Sequence, residues 1–188
     1  MLSQRIKIIV FITLISSTAI SQEISGLFVS PLVGIRIPIQ ESAKKFKTGF
    51  SFGGSLEYGN SEIPFIIKFQ ISYTLLPQRQ LYRDQFESKS MTGVSLGVDY
   101  LFYPLIAAET IVTPFMSFDL TYNYIERQII TYTYKFETFT KPDSKLGFNV
   151  GFGISFFLVD FVFKYFFMPY EPYLGLDYKL RLPIHITL

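Results

Sequence analysis

Gly49-Phe50-Ser51-Phe52-Gly53-Gly54-Ser55-Leu56-Glu57-Tyr58 is the stretch that decides the fold. In an extended chain Phe50, Phe52, Leu56 and Tyr58 fall on one face, and Ser51, Gly53, Ser55 and Glu57 on the other. Successive side chains of a strand point to opposite sides, so this period of two predicts a β-strand with one bulky apolar face and one small polar face. The pattern recurs along the chain. Pro64 to Leu75 sets Phe65, Ile67, Phe69, Ile71 and Tyr73 against Lys68, Gln70, Ser72 and Thr74. Thr92 to Phe102 sets Val94, Leu96, Val98, Tyr100 and Phe102 against Gly93, Ser95, Gly97 and Asp99. Pro114 to Tyr124 and Lys145 to Phe156 repeat it, the second with an opposite face made of Gly147, Asn149, Gly151, Gly153 and Ser155. Weaker versions over Leu27 to Ile37, Asp160 to Met168 and Leu174 to Leu188 bring the count to an even eight.

The polarity of the faces selects the kind of sheet. A soluble eight-stranded barrel lines its interior with apolar side chains and turns its charges to water. Here the bulky face is aromatic, while the other mixes Gly and Ser with isolated charges. A narrow barrel must be filled by side chains, which small residues beside a few long polar ones accomplish. The bulky face is therefore expected to look outward into lipid. The expected fold is all-β, an eight-stranded antiparallel up-and-down transmembrane barrel. A soluble sandwich is the alternative, but strands this rich in Phe and Tyr would aggregate in water. Composition leans the same way, since charged residues make up 17% of the chain against roughly 25% in soluble domains. A net charge of +2 without a basic tract gives no footing for nucleic acid. The absence of Cys excludes disulfides, thiolate metal sites, cysteine catalysis and lipid attachment to an N-terminal cysteine.

Residues 1–21 read as a signal peptide and 22–188 as the barrel domain. Arg5 and Lys7 precede an apolar stretch from Ile8 to Ile15, and Ala19-Ile20-Ser21 forms a cleavage site that leaves Gln22 as the mature N-terminus. The apolar core is too short to span a bilayer as a helix, and no run of about 18 apolar residues follows it. Any crossing must be made by strands, and these leave no backbone group unbonded in lipid only if the sheet closes. External connections are expected through Glu41 to Lys47, Pro77 to Ser88, Glu126 to Asp143 and Pro169 to Pro172. Internal ones run through Gly59 to Glu62, Tyr103 to Thr113 and Leu158 to Val159. Outer-membrane barrels have short internal turns and longer external loops, from which Tyr103 to Thr113 departs. Within the third external loop Ile130, Tyr132, Tyr134 and Phe136 alternate with Thr131, Thr133, Lys135 and Glu137. That stretch reads as a β extension above the membrane, with a ten-stranded barrel as the alternative.

In this register the inward charges are Arg36, Lys68, Lys164, Lys179 and Arg181 against Glu57, Asp99, Asp119 and Asp177. Isolated charges in a confined lumen are costly unless paired, so the expectation is a salt-bridged structural fill, with a charge-selective pore as the alternative. His185, the single histidine, shares a face with Lys179 and Arg181. One His without Cys builds no closed metal site, and no nucleophile signature accompanies it. Neither a catalytic residue nor a bound metal or cofactor is expected. Tyr58, Tyr100, Phe102, Phe156 and Phe161 are expected at the periplasmic rim of the outer face, and Phe50, Tyr73, Tyr122, Phe167 and Tyr173 at the opposite rim. Lys44-Lys45-Phe46-Lys47 is a candidate contact for anionic headgroups.

The Gly-punctuated strands Gly49-Phe50-Ser51-Phe52-Gly53-Gly54, Gly93-Val94-Ser95-Leu96-Gly97-Val98-Asp99-Tyr100 and Gly147-Phe148-Asn149-Val150-Gly151-Phe152-Gly153 carry a resemblance over the whole mature chain. It resembles the small outer-membrane β-barrel proteins, the OmpA/OmpX-like or "porin family" barrel domains. The resemblance implies a bacterial outer-membrane location, reached through a signal peptide, and outer-membrane lipid as surroundings. It also allows lipopolysaccharide or an extracellular partner at the long loops. Two features depart from the pattern: the chain closes on Ile186-Thr187-Leu188 rather than on an aromatic, and no peptidoglycan-binding domain follows. The architecture hosts adhesins, stabilisers, narrow pores and enzymes alike. A non-enzymatic structural or surface-interaction role is the leading expectation, followed by a narrow pore and by a lipid-modifying enzyme.

Overall fold

The computed structural model describes residues 26–60, 63–77, 85–102, 112–133, 135–156, 158–169 and 171–185. The expected signal peptide and its cleavage site lie outside the described residues, as do most of the Tyr103 to Thr113 connection and the chain end at 186–188. The elements are β1 (Gly26–Pro38), a five-residue helix α1 (Glu41–Lys45), β2 (Gly49–Asn60), β3 (Ile63–Leu76), β4 (Gln85–Leu101), β5 (Val112–Thr133), β6 (Lys135–Phe156), β7 (Val159–Phe167), β8 (Tyr173–Leu180) and β9 (Leu182–His185). From β1 to β8 each strand pairs antiparallel with the next in sequence, and β1 closes the sheet by pairing with β2 on one side and with β8 and β9 on the other.

The final strand differs from expectation in being interrupted. Lys179 stands opposite Leu32 and Leu182 opposite Val29, so the register runs unbroken through Arg181, and a bulge follows beyond Phe28. β8 and β9 thus occupy one stave's position in an eight-stranded up-and-down barrel. Closure leaves the wall without an edge, which is what spanning lipid with strands requires.

The β extension expected within the third external connection is present, and β4 takes in the end of the second. β4 begins at Gln85 rather than Thr92, and the Glu126 to Asp143 segment is the far half of a β5–β6 hairpin in which Thr133 pairs with Lys135. At 22 residues each, β5 and β6 are about twice the 9–11 residues that cross a bilayer. β7 reaches only to Phe167, opposite Phe148. The Lys135 to Gly147 stretch of β6 therefore rises above its neighbour, as an extension of the wall and not as two more staves.

Burial alternates along every wall strand, with the bulky residues outside. Leu120, Phe50, Phe52, Ile67, Phe152 and Ile154 are among the exposed outer residues, while Ser51, Ser55, Glu57, Ser95, Asp99, Ser117 and Asn149 are buried inside. Aromatic neighbours meet across strands on the outer wall. Phe65 and Tyr100 lie 5.1 Å apart by ring centroid, with Tyr100 edge-on to Phe102, toward the end where Gly26 and His185 lie. Phe148 stacks on Phe167 at 4.3 Å toward the hairpin end. Tyr173 is a correction to the expected upper belt: it is 4% exposed and stacks inside the lumen on Phe166 at 4.3 Å. It starts β8 on the inward parity, which it shares with Asp177 and Lys179.

Candidate functional site: the lumen and its upper rim

The lumen is filled in three tiers. At the lower end, where the described ends of the chain meet, Ile66, Leu101, Phe115 and Val162 form a buried apolar cluster. Phe46, Leu76, Met91, Ile125, Phe166, Met168 and Tyr173 form another at the hairpin end. Between them lie the charges. Arg36, Glu57, Lys68, Asp99, Asp119, Lys164, Asp177, Lys179 and Arg181 are all buried, none more than 4% exposed.

These side chains make a continuous path of alternating sign. Arg36 donates to Asp177, whose second oxygen stands 4.0 Å from the Lys164 ammonium. Lys164 and Lys68 each lie 2.8 Å from Asp119, through different carboxylate oxygens. Lys68 also pairs with Asp99 and donates to the Ser117 hydroxyl at 2.6 Å. Asp99 is 3.5 Å from Lys179, which donates to Glu57 at 2.8 Å, and Glu57 accepts from Arg181 Nε at 2.9 Å. The path ends on Asp160, 2.8 Å from Arg181 and 3.4 Å from Lys179. Asp160 is absent from the charges expected from sequence, although it heads the inward face of β7 two residues before Val162 and four before Lys164. With it the five cations meet five carboxylates, and the tier is neutral. Its ends rest on the apolar tiers, with the Arg36 guanidinium 4.8 Å over the Phe166 ring and that of Arg181 5.8 Å over Phe115.

The glycines of the inner face hold the room for these long side chains. A Cβ on Gly97 would collide with Asp119 Oδ1, one on Gly34 with Asp177 Oδ1, and one on Gly151 would come within 2.8 Å of the Lys164 stem. On Gly153 it would meet the Phe115 ring at 2.5 Å. The small-residue face of β6 is thus the imprint of residues reaching across from β5 and β7.

Above the upper tier the β7–β8 connection folds over the mouth. Glu171 is 7% exposed. It accepts from Lys89 and, at 2.6 Å, from Arg127, with Lys145 3.6 Å away. Burial works to raise the Glu171 carboxyl, but the Lys89 ammonium, with Arg127 and Lys145, outweighs it and holds the group below the ordinary carboxylate range. Sequence periodicity did not reveal this clamp, because it joins a loop residue to three strands. The Lys44-Lys45-Phe46-Lys47 cluster divides. Phe46 is 3% exposed in the upper tier beneath Lys89, Lys44 pairs with Glu41 at 2.7 Å, and Lys45 and Lys47 are exposed. The His185 backbone pairs opposite Leu27, and its side chain lies outside the described residues. Among the described residues no group of three or more His, Cys, Asp or Glu is arranged to hold a metal, and no helix is long and apolar enough to cross a membrane.

A closed eight-stranded up-and-down barrel with an apolar exterior and a charged, side-chain-filled interior is the fold of small transmembrane β-barrels. Solved structures share the fold. Neisserial surface protein A matches with a TM-score of 0.53 and 15% identity, over 85% of this chain and 98% of that one. A major outer membrane protein from Thermus thermophilus matches at 0.54 and 12%, over 83% and 99%. Ail, the attachment invasion locus protein of Yersinia pestis, matches at 0.53 and 10%, over 84% and 99%. No family model matches the chain. No curated protein matches it by sequence.

Proposed function

We propose that the chain is an integral, non-enzymatic protein of the bacterial outer membrane, sealed against solute flow, that acts through its outer rim and the β5–β6 hairpin. The observation that carries this reading is the neutral ion-pair path bracketed by two apolar tiers. Buried charges of this kind are tolerable only when paired, and breaking any link to admit a hydrated ion leaves a carboxylate or ammonium stranded. The exposed apolar wall far exceeds the few hundred Å² that a soluble monomer tolerates, which supports lipid as its surroundings. The surface and attachment proteins among its structural neighbours are in keeping with work done outside the wall.

Planar-bilayer recording tests the proposal. Purified protein is expected to give no stable unitary conductance, and Lys68→Ala/Asp119→Ala, which removes a linked cation and anion from the centre, is expected to raise current events. A steady unitary step from the unaltered protein would refute the sealed lumen and favour the narrow pore. Turnover of labelled outer-membrane lipid that disappears in His185→Ala would instead favour an enzyme.

A further inference from the structure

Where β7 ends at Phe167 and β6 continues upward, the rim has a notch, and a cavity of about 1060 Å³ opens in it. Its lining is of two kinds. Leu146, Phe148 and Phe167 belong to the outward apolar wall, with Tyr165 below them, whereas Lys45, Arg127 and Lys145 bring cations from α1, β5 and β6. Glu41 and Glu171 also border it; Glu41 pairs with Lys44 and Glu171 with Lys89, neither of them part of the lining, while Glu171 also accepts from Arg127 at 2.6 Å and lies 3.6 Å from Lys145. Asp143, 3.8 Å from both Arg127 and Lys145, offsets one further charge, so the notch keeps an excess of positive charge.

We infer that this notch binds one anionic lipid of the outer leaflet, its phosphate between Lys45 and Lys145 and an acyl chain lying down the Phe148–Phe167 wall. Three features of the site favour that occupant. The cavity crosses the boundary at which the aromatic wall gives way to charged rim, which is where a lipid's headgroup and chains divide. Lys45 lines the notch from α1 and is exposed, and the Lys145 ammonium, which donates to the Pro169 carbonyl at 3.3 Å, lines it from β6. Phe148 and Phe167 stack flat, at 11° between planes, and present a smooth strip to a hydrocarbon chain. A bordering stretch of β6 backbone above the end of β7 would suit an extended peptide instead, but a peptide strand has no use for the cations or the strip.

The inference rests on the membrane-barrel reading, and the test separates the two. Full-length protein in neutral detergent is mixed with dipalmitoyl phosphatidate or dipalmitoyl phosphatidylcholine, and retained lipid is counted by native mass spectrometry. Gel mobility with and without boiling is read on the same samples. One phosphatidate per chain is expected, held in preference to phosphatidylcholine. Lys45→Gln and Lys145→Gln should each weaken retention by roughly fivefold, the worth of one basic residue at an anionic surface. Dibutyryl phosphatidate and inorganic phosphate should compete poorly, because neither occupies the aromatic strip. A heat-modifiable barrel that holds both lipids equally, is indifferent to both substitutions, releases its lipid to inorganic phosphate, or takes up an extended decapeptide in the lipid's place overturns this inference alone. Loss of heat modifiability in the unaltered protein overturns the membrane-barrel reading and this inference with it. Lys45→Gln guards against a folding artefact, since that side chain is exposed and lies outside the barrel wall.

Discussion

Replacing Asp160 with Asn changes the lumen by one charge and almost no volume. Asp160 is fully buried, 2.8 Å from Arg181 and 3.4 Å from Lys179. Removing one member of a buried pair costs about 3–5 kcal/mol because its partner is left ionised without compensation. The low end, about 3 kcal/mol, is expected here, because Arg181 keeps Glu57 at 2.9 Å and Lys179 keeps Glu57 and Asp99. Adding Arg181→Met restores four cations against four carboxylates, and coupled neighbours of this kind carry interaction energies of about 0.5–3 kcal/mol. The double variant should therefore regain a good part of what the single one loses. The assay is reversible urea unfolding in phospholipid vesicles, followed by the gel mobility of the folded form. A loss below about 1 kcal/mol in Asp160→Asn, the size of an exposed ion pair, would refute the idea that neutrality of the tier holds the barrel closed. So would a double variant as unstable as the sum of the two singles.

Two further outcomes follow from the same geometry. Gly97→Ala forces a methyl against Asp119 Oδ1 and within 2.6 Å of the Phe118 carbonyl, whereas at Gly54 the nearest atom is the Ser30 carbonyl oxygen at 3.7 Å. Gly97→Ala should cost about 1–3 kcal/mol in the urea assay, and Gly54→Ala should leave the midpoint nearly unchanged. The clamp at Glu171 should depend on pH in a defined direction. Its carboxyl titrates lower in the folded protein than in the unfolded chain, so the stability it contributes is present above the unfolded value of about 4.3 and is lost as pH falls through the depressed folded value. Hydrogen exchange of the β7–β8 connection should quicken below that range in the unaltered protein. In Glu171→Gln it should be fast at every pH.

The strand pattern was legible because period-two alternation is a local property. Phe50 to Tyr58, Phe65 to Tyr73 and Val94 to Phe102 declared both the strand and the side that faces lipid. The expected lumen charges, from Arg36 to Arg181, follow from the same parity. Strand ends were less legible, for a tertiary reason: alternation from Ile130 to Phe136 marked the β extension, but Gln85 to Ser88 pairs with β5 beyond the end of β3, and nothing local marks where a strand leaves the bilayer. The break at Arg181 is likewise invisible in a stretch that reads as one strand.

What the sequence determined by itself is the alternation, its inverted polarity and the even number of staves, all set by which side chains tolerate lipid. What only the tertiary structure decided is who meets whom inside. Asp160 completes the charge balance, Tyr173 turns inward onto Phe166, Phe46 drops from a basic loop into the upper tier, and Glu171 gathers Lys89, Arg127 and Lys145. Nearly all of these contacts join residues far apart in the chain, and their partners are fixed by closure of the barrel, which no single strand encodes.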